Sequence, residues 1–260
     1  MIACSAMRNV VFAAALFVAA CSPAARAPGP SIAVPAPIQA AVDAPDRAAD
    51  DRALDEGRHP GEMLAFFGIA PGMKVGEIGA GDGYTTELLA RVVGPNGVVY
   101  AENPPEIAEK YFLKEWTARL AKPVNSNVVN DYRAPDAPYP PQAKDLDAIV
   151  CVLIYHDTYW FGTDRAKMNA GVFGALKSGG VYGIVDHSGR AGTGSTEVQT
   201  LHRIEEKTLI EDVEKAGFKL VAEADFLRHP EDARDWNVSP GAAGPRRGKS
   251  DRFVLKFQKP

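Results

Sequence analysis

Histidine and aspartate side chains that could do acid–base or metal chemistry recur in the second half of the chain. His156 and Asp157 follow one apolar run, Asp186 and His187 end another, and His202 comes soon after. An imidazole near neutral pH can accept a proton, and a neighbouring carboxylate can orient it. The same side chains are ligands for zinc and other divalent metals, although their spacing matches no compact metal motif. Three interpretations stay open: a general base at His156 or His187, a metal site among His156, Asp186, His187 and His202, or polar residues that only join loops.

A glycine-rich stretch, EIGAGDGY over residues 77–84, is the other feature with chemical potential. Its three glycines let the backbone approach a ligand closely and turn sharply into the N-terminus of a helix. The dinucleotide-binding fingerprint would need a glycine where Tyr84 stands. The stretch therefore predicts a ligand-binding turn of another kind.

The elements that would position these residues alternate between strand and helix. Strands are predicted at 74–78, 98–101, 127–129, 146–154, 180–185, 219–226 and 252–257, and helices at 46–57, 85–93, 106–120, 166–176 and 208–216. The last of these helices carries a capping box, Thr208 with Glu211, and Lys177-Ser178-Gly179 predicts a turn before the fifth strand. Such alternation indicates a parallel sheet covered by helices on both faces, with ligands beyond the carboxyl ends of the strands.

The glycine stretch resembles motif I of the class I S-adenosylmethionine-dependent methyltransferases, because its G-x-G-x-G spacing follows Glu77 by two residues. Glu102 after the second strand and Asp131 after the third occupy the positions where this family binds the ribose hydroxyls and the adenine amino group. The resemblance implies S-adenosylmethionine as cofactor and a Rossmann-like, doubly wound α/β sheet of seven strands with the last one antiparallel. It implies a cofactor site made of Glu77, Gly79, Ala80, Gly81, Gly83, Tyr84, Glu102, Asp131 and Tyr132.

A subgroup of bacterial exported methyltransferases is similar in four further motifs. They are Tyr155-His156-Asp157, Asp186-His187, Leu201-His202-Arg203 and Asp251-Arg252-Phe253. The resemblance implies that His156, Asp157, Asp186, His187 and His202 form the catalytic edge, near the methyl group of the cofactor. The long loop 229–250 is expected to cover the acceptor site.

The N-terminus predicts export. Arg8 precedes an apolar run over 10–20 that is too short to span a bilayer, as in a signal peptide over residues 1–20. Val18-Ala19-Ala20-Cys21 resembles the lipobox of bacterial lipoproteins, which implies acylation of Cys21 and a periplasmic protein on the outer membrane. Residues 21–45 are rich in alanine and proline and predict a tether, which leaves 46–260 as the folded domain.

Composition restricts the partners. With 29 Lys and Arg against 33 Asp and Glu, the net charge is −4, which argues against a nucleic-acid partner. The expected acceptor is a small molecule or an envelope component, and the only expected membrane contact is the lipid on Cys21. Export conflicts with a cofactor made in the cytoplasm, so two alternatives remain: a non-catalytic binding lipoprotein on this fold, and a metal-dependent enzyme using the histidine and aspartate residues.

Overall fold

The computed structural model describes Met1 and residues 32–260. The predicted signal peptide, Cys21 and the first part of the predicted tether lie outside these residues. Among the described residues, no helix is both long and apolar enough to cross a membrane.

The described part of the chain forms one sheet of seven strands in the order β3-β2-β1-β4-β5-β7-β6. β1 to β5 run parallel, and β7 runs antiparallel to both β5 and β6. This arrangement confirms the predicted doubly wound sheet with an antiparallel last strand. The strands are β1 Lys74–Ile78, β2 Val98–Asn103, β3 Val128–Tyr132, β4 Leu146–Val152, β5 Leu176–His187, β6 Lys219–Ala224 and β7 Arg252–Gln258.

Helices cover both faces of the sheet, and three short 3₁₀ segments lie at 123–125, 155–159 and 244–246. Apolar helix residues form one buried cluster with each face; Leu64 and Leu88 belong to the first and Val172 and Val213 to the second. The helices are α1 Ala36–Val42, α2 Ala49–Arg58, α3 Pro60–Phe67, α4 Tyr84–Val93, α5 Pro105–Tyr111, α6 Leu113–Leu120, α7 Arg165–Ala175, α8 Val198–Leu201, α9 Glu206–Lys215 and α10 Pro240–Ala243.

The predicted boundary between tether and domain was wrong. Residues 36–42 form helix α1, and its Ile38 is 1% exposed within the first buried cluster. Pro37, in the first turn of the helix, suits a helix start because its fixed φ is already helical and its missing N–H has no helical partner there. The folded domain therefore includes part of the alanine- and proline-rich segment that composition alone assigned to a tether.

Three local predictions also need correction. The helix predicted over 106–120 is two helices, because Phe112 leaves helical geometry at φ −153° and packs against the core. The predicted turn at Lys177-Ser178-Gly179 lies inside β5, where Gly179 has φ +77° and the register against β4 shifts. Thr208 caps nothing, because α9 already begins at Glu206.

Candidate active site

The carboxyl ends of β1, β4 and β5 open into one cavity of about 780 Å³. Its wall includes the glycine stretch, residues of α2, the segment after β4, and the segment before β7. Parallel strands bring their carboxyl ends to the same edge, so residues far apart in sequence meet here. The loop predicted to cover the site does line it, through residues such as Trp236 and Lys249.

The glycine stretch makes a tight turn between β1 and α4. Gly79, Gly81 and Gly83 have φ of +63°, +62° and +89°, a region that side chains disfavour. A Cβ on Gly83 would lie 2.6 Å from Cδ of Arg119, whereas one on Gly81 would meet nothing within 4 Å. Gly83 is therefore required for packing, and Gly81 leaves open space beside the loop.

Asn103 fixes the middle of this turn. Its Oδ1 accepts the N–H of Gly81 at 2.8 Å, and its Nδ2 donates to the Gly81 carbonyl at 3.1 Å. Sequence reasoning missed Asn103, although it directly follows Glu102 at the end of β2 and this adjacency was the available signal.

Glu77 is buried under the turn. Its Oε2 accepts the hydroxyl of Thr86, at 2.5 Å, and the residue contributes to the cavity wall. Burial raises the pKa of Glu77 to about 8, because the hydrogen bond from Thr86 only partly offsets the loss of water. Glu77 therefore joins the end of β1 to the first turn of α4.

Glu102 and Asp131 stand side by side in the register of β2 and β3. Oε2 of Glu102 accepts the N–H of Gly79, while its buried Oε1 has no partner among the described residues. Burial raises the pKa of Glu102 to about 8. An unpartnered buried carboxyl oxygen beside an open glycine turn is what a bound nucleoside hydroxyl would satisfy, so Glu102 fits the expected cofactor.

Not every predicted cofactor residue reaches the cavity. Glu77, Gly79, Ala80, Gly81 and Tyr84 line it, whereas Glu102, Asp131 and Tyr132 do not. Asp131 instead pairs with Arg133 at 2.7 Å, and the side chain of Tyr132 is exposed at the edge of the sheet. Gly83 also lies outside the cavity wall, and the parts predicted for these residues in cofactor binding stay predictions.

Helix α2 covers the glycine turn and adds a cation to the cavity. The Tyr84 hydroxyl donates to Asp55 at 2.6 Å, and the guanidinium of Arg58 lies 4.3 Å from the centre of the Tyr84 ring. No described carboxylate forms an ion pair with Arg58, and burial lowers its pKa. Sequence reasoning missed Arg58 because nothing local distinguishes it from other arginines at helix ends.

The predicted catalytic residues do converge. His156 is 2% exposed, and Nδ1 of its ring lies 2.7 Å from Oδ1 of Asp186. Its Nε2 lies 3.1 Å from Oδ1 of Asp157 and 3.3 Å from Nδ1 of His202. Burial by itself would lower the pKa of His156, but the two carboxylates outweigh it and raise the pKa to about 10.

His187 lies apart from this group, with its ring centre 5.8 Å from that of His156. Its Nδ1 lies 2.8 Å from the hydroxyl oxygen of Ser250, and its Nε2 has no hydrogen-bond partner among the described residues. Burial, reinforced by the charge of His156, lowers the pKa of His187 well below its ordinary value. His187 lines the cavity with one ring nitrogen unpartnered, whereas both ring nitrogens of His156 face other side chains.

The remaining residues of the four motifs hold the segment before β7. Arg203 forms a buried ion pair with Asp232 at 2.9 Å, and Asp251 accepts from Arg234 at 2.7 Å. Arg252 donates to the Gly248 carbonyl at 2.7 Å. These contacts fix the wall of the cavity opposite the glycine turn. Cys151 is buried in β4, and burial raises the pKa of its thiol well above the ordinary value, as expected of an unreactive core residue.

Known proteins resemble this chain in its cofactor half and in its fold. The family model "Protein-L-isoaspartate(D-aspartate) O-methyltransferase (PCMT)" matches residues 38–128. A protein-L-isoaspartate O-methyltransferase of Aeropyrum pernix is 52% identical over 50 residues, 19% of each chain. A fibrillarin of Arabidopsis thaliana, named for rRNA 2′-O-methylation, is 31% identical over 116 residues, 45% of this chain and 36% of that protein.

This chain therefore spans only about a fifth and about a third of the length of these two relatives. Among solved structures, an S-adenosylmethionine-dependent methyltransferase from Aquifex aeolicus has a TM-score of 0.55 and 19% identity, covering 80% of this chain and 96% of that one. That likeness shows a shared fold. The chain therefore has the fold of the class I methyltransferases.

Proposed function

We propose that this protein transfers the methyl group of S-adenosylmethionine to an oxygen of a small molecule or an envelope component, outside the cytoplasm. The observation that carries the proposal is the single cavity that joins the glycine turn to the histidines. A methyl donor held at one end and an acceptor held at the other would meet inside it, and positioning of this kind is most of what methyl transfer requires.

The residues that would bind the cofactor are assigned from the polar groups of the site that have no described partner and from the open space beside the turn. Oε1 of Glu102 would hydrogen-bond to a ribose hydroxyl, and Gly81 leaves room for the ligand next to the loop backbone. Arg58, a cation on the cavity wall without a described carboxylate partner, would bind the carboxylate of the methionine part. Bound there, S-adenosylmethionine supplies an electrophilic methyl group on a sulfonium.

His187 is the residue we assign as proton acceptor. In the tautomer that donates Nδ1–H to Ser250, its Nε2 carries a free lone pair at the cavity. His156 is less suited to this role, because both of its ring nitrogens face other side chains. Of the two histidines that the sequence offered as bases, the geometry favours His187.

Both named relatives are O-methyltransferases, which supports an oxygen acceptor. Their matches cover only 19% and 45% of this chain, so the acceptor itself does not carry over to it. The net charge of −4 and the predicted export favour a small or envelope acceptor over RNA. The location is likewise proposed: a lipid on Cys21 would hold the domain at the outer membrane from the periplasmic side.

The test is calorimetric titration of S-adenosylmethionine and S-adenosylhomocysteine into the chain as purified from the expressing cell. We expect micromolar binding that Glu102→Ala weakens and that Glu211→Ala, an exposed control outside the cavity, leaves unchanged. Absence of binding to folded protein would contradict the proposal. Binding without turnover on any oxygen acceptor would instead favour a non-catalytic binding lipoprotein.

Fractionation of cells tests the location. The chain should be found with the outer membrane, and Cys21→Ser should leave it uncleaved or release it from that membrane. A cytoplasmic chain would contradict the proposed export.

A further inference from the structure

Three potential metal ligands face one another at the end of the cavity. Nε2 of His156, Oδ1 of Asp157 and Nδ1 of His202 lie 3.1, 3.1 and 3.3 Å apart in pairs. Ligands about 2.0–2.1 Å from a tetrahedral zinc ion are separated by about 3.3–3.4 Å. The three atoms therefore already stand close to three corners of a metal tetrahedron, although residues 157 and 202 are far apart in sequence.

Asp186 holds His156 in the orientation that a metal ligand needs. One carboxylate oxygen lies 2.7 Å from Nδ1 of His156, and the other accepts the backbone N–H of His156 at 2.8 Å. With the ring proton on Nδ1, the lone pair of Nε2 points at Asp157 and His202. A carboxylate behind a histidine ligand is the usual outer partner in metal sites.

The backbone at His202 brings its ring to the same point. His202 ends α8 in the left-handed region at φ +53°, which few residues other than glycine adopt. Its neighbour Ile204 is fixed by donating its N–H to the His187 carbonyl at 3.1 Å. An unfavourable conformation held in place by the surrounding structure is common at functional sites.

The charges around the three atoms call for a cation. Among the described residues, no lysine or arginine pairs with Asp157 or Asp186, and their ion-pair partners are histidines. With neutral histidines, two imidazole lone pairs and a carboxylate oxygen would face one another without a positive group between them. Either a proton or a metal ion must lie between these three atoms. A proton needs only two acceptors, so the presence of His202 as a third ligand favours the metal.

We propose that His156, Asp157 and His202 bind a divalent transition-metal ion, with Zn²⁺ as first choice, and that Asp186 orients His156 toward it. Two imidazoles and one carboxylate suit zinc and its neighbours better than Ca²⁺ or Mg²⁺. All three ligands line the cavity, so the fourth position faces the acceptor end. There the ion would bind an acceptor oxygen, and this last role rests on the proposed methyl transfer, whereas the site itself does not.

The experiment measures metal binding without any reaction. The purified chain is stripped with a chelator, desalted, and titrated with Co²⁺, whose visible absorption reports a low-coordinate site, and then with Zn²⁺, followed by elemental analysis. We expect one ion per chain, displaced by Zn²⁺. His202→Ala and Asp157→Asn should weaken binding by more than about 100-fold, and Asp186→Asn by about 10- to 100-fold.

Two histidine variants serve as controls. His187→Asn and His229→Asn each remove a histidine that lines the same cavity but lies outside the three ligands. Both should keep one tightly bound ion. Equal binding by wild type and His202→Ala, or loss in His229→Asn instead, would overturn the proposal.

Titration of S-adenosylmethionine into each preparation separates the two proposals and checks the fold. Cofactor binding without metal binding would overturn the metal site and leave the methyltransferase proposal intact. Metal binding without cofactor binding would do the reverse. If His202→Ala does not fold, His202→Gln, which keeps the size of the side chain, replaces it.

Discussion

Gly79 donates its backbone N–H to Oε2 of Glu102 at 3.0 Å, so the turn after β1 is tied to the end of the neighbouring strand β2. The other oxygen of the same carboxylate is buried without a described partner. One side chain thus shapes the turn and keeps a hydrogen-bonding oxygen available for a ligand. This double use explains why a glutamate stands at a fully buried position.

Loss of this carboxylate should weaken cofactor binding. Glu102→Ala removes the acceptor for Gly79 and the unpartnered oxygen, and hydrogen bonds to such groups are worth about 1.5–3 kcal/mol. We expect the dissociation constant for S-adenosylmethionine to rise by about 10- to 100-fold by calorimetry. Glu102→Gln keeps one acceptor oxygen, so its affinity for S-adenosylmethionine should lie between those of the wild type and Glu102→Ala. Equal affinity in all three proteins would contradict this assignment.

Burial of Glu102 should also make stability depend on pH. The pKa is about 8 in the folded chain, against an ordinary value of about 4.3 in the unfolded chain. Between these values the folded chain keeps a proton that the unfolded chain has released. This contribution to the free energy of unfolding is therefore complete below about pH 4 and is lost as the pH rises toward 8.

Thermal unfolding of the wild type and of Glu102→Gln across this pH range tests whether stability falls as the pH rises. The wild type should lose more stability than the variant between pH 5 and about 8. Glu77, whose pKa is raised to about 8 by burial, acts in the same direction, so the variant should flatten the profile only in part. Parallel profiles would show that Glu102 is not protonated in the fold.

Two glycines of the turn should respond differently to alanine. Gly83→Ala would place a Cβ 2.7 Å from the Trp116 ring and 2.6 Å from Arg119, so we expect marked destabilisation in urea unfolding. Gly81→Ala meets no neighbour and should cost only the backbone strain, about 1–2 kcal/mol. Its expected effect is on S-adenosylmethionine, whose affinity should fall because the new methyl group occupies the open side of the turn.

The parallel sheet and the placement of the histidines followed from the sequence, because strands that alternate with helices form a parallel sheet and the carboxyl ends of parallel strands share an edge. Asn103 and Arg58 could not be predicted. Their roles depend on contacts with Gly81 and Tyr84 that no local pattern records. The sequence placed Glu102 and Asp131 after the second and third strands, and the structure pairs them in register. Their position outside the cavity wall depends on packing that the sequence does not show.

The contacts of Arg119, which connect α6 with α2 and the glycine turn, should stabilise the fold more than a surface ion pair does. Arg119 pairs with Asp51 at 2.6 Å and Glu87 at 2.8 Å and donates to the Asp82 carbonyl at 2.6 Å. Both carboxylates are nearly buried, so Arg119→Met leaves them without this partner and should cost about 3 kcal/mol in urea unfolding.

The exposed pair of Lys207 and Glu211 is the matched control for Arg119, since its atoms are 3.8 Å apart and both side chains are largely in water. Lys207→Ala should change stability by less than about 0.5 kcal/mol. A similar cost for both variants would mean that burial adds nothing to the Arg119 network.

His187 should matter for turnover and not for cofactor binding. Its free Nε2 is the proposed proton acceptor, and loss of a general base costs typically about 10²- to 10⁴-fold in rate. Once an acceptor is identified, His187→Gln should lower kcat by such a factor while the dissociation constant for S-adenosylmethionine stays within about twofold. Lys207→Gln, an exposed variant outside the cavity, serves as control, and an equal loss of rate there would contradict the assignment.

The N-terminal boundary of the domain has an energetic test, because helix α1 lies where composition predicted only a tether. Ile38 is 1% exposed and packs with the first buried cluster, so Ile38→Ala removes apolar contacts and leaves a cavity. Such substitutions cost about 2–5 kcal/mol. We expect a loss in this range by urea unfolding, whereas Gln39→Ala, an exposed neighbour on the same helix, should have little effect. If both variants kept wild-type stability, α1 would contribute nothing to the stability of the fold, and the predicted domain boundary at residue 46 would be correct.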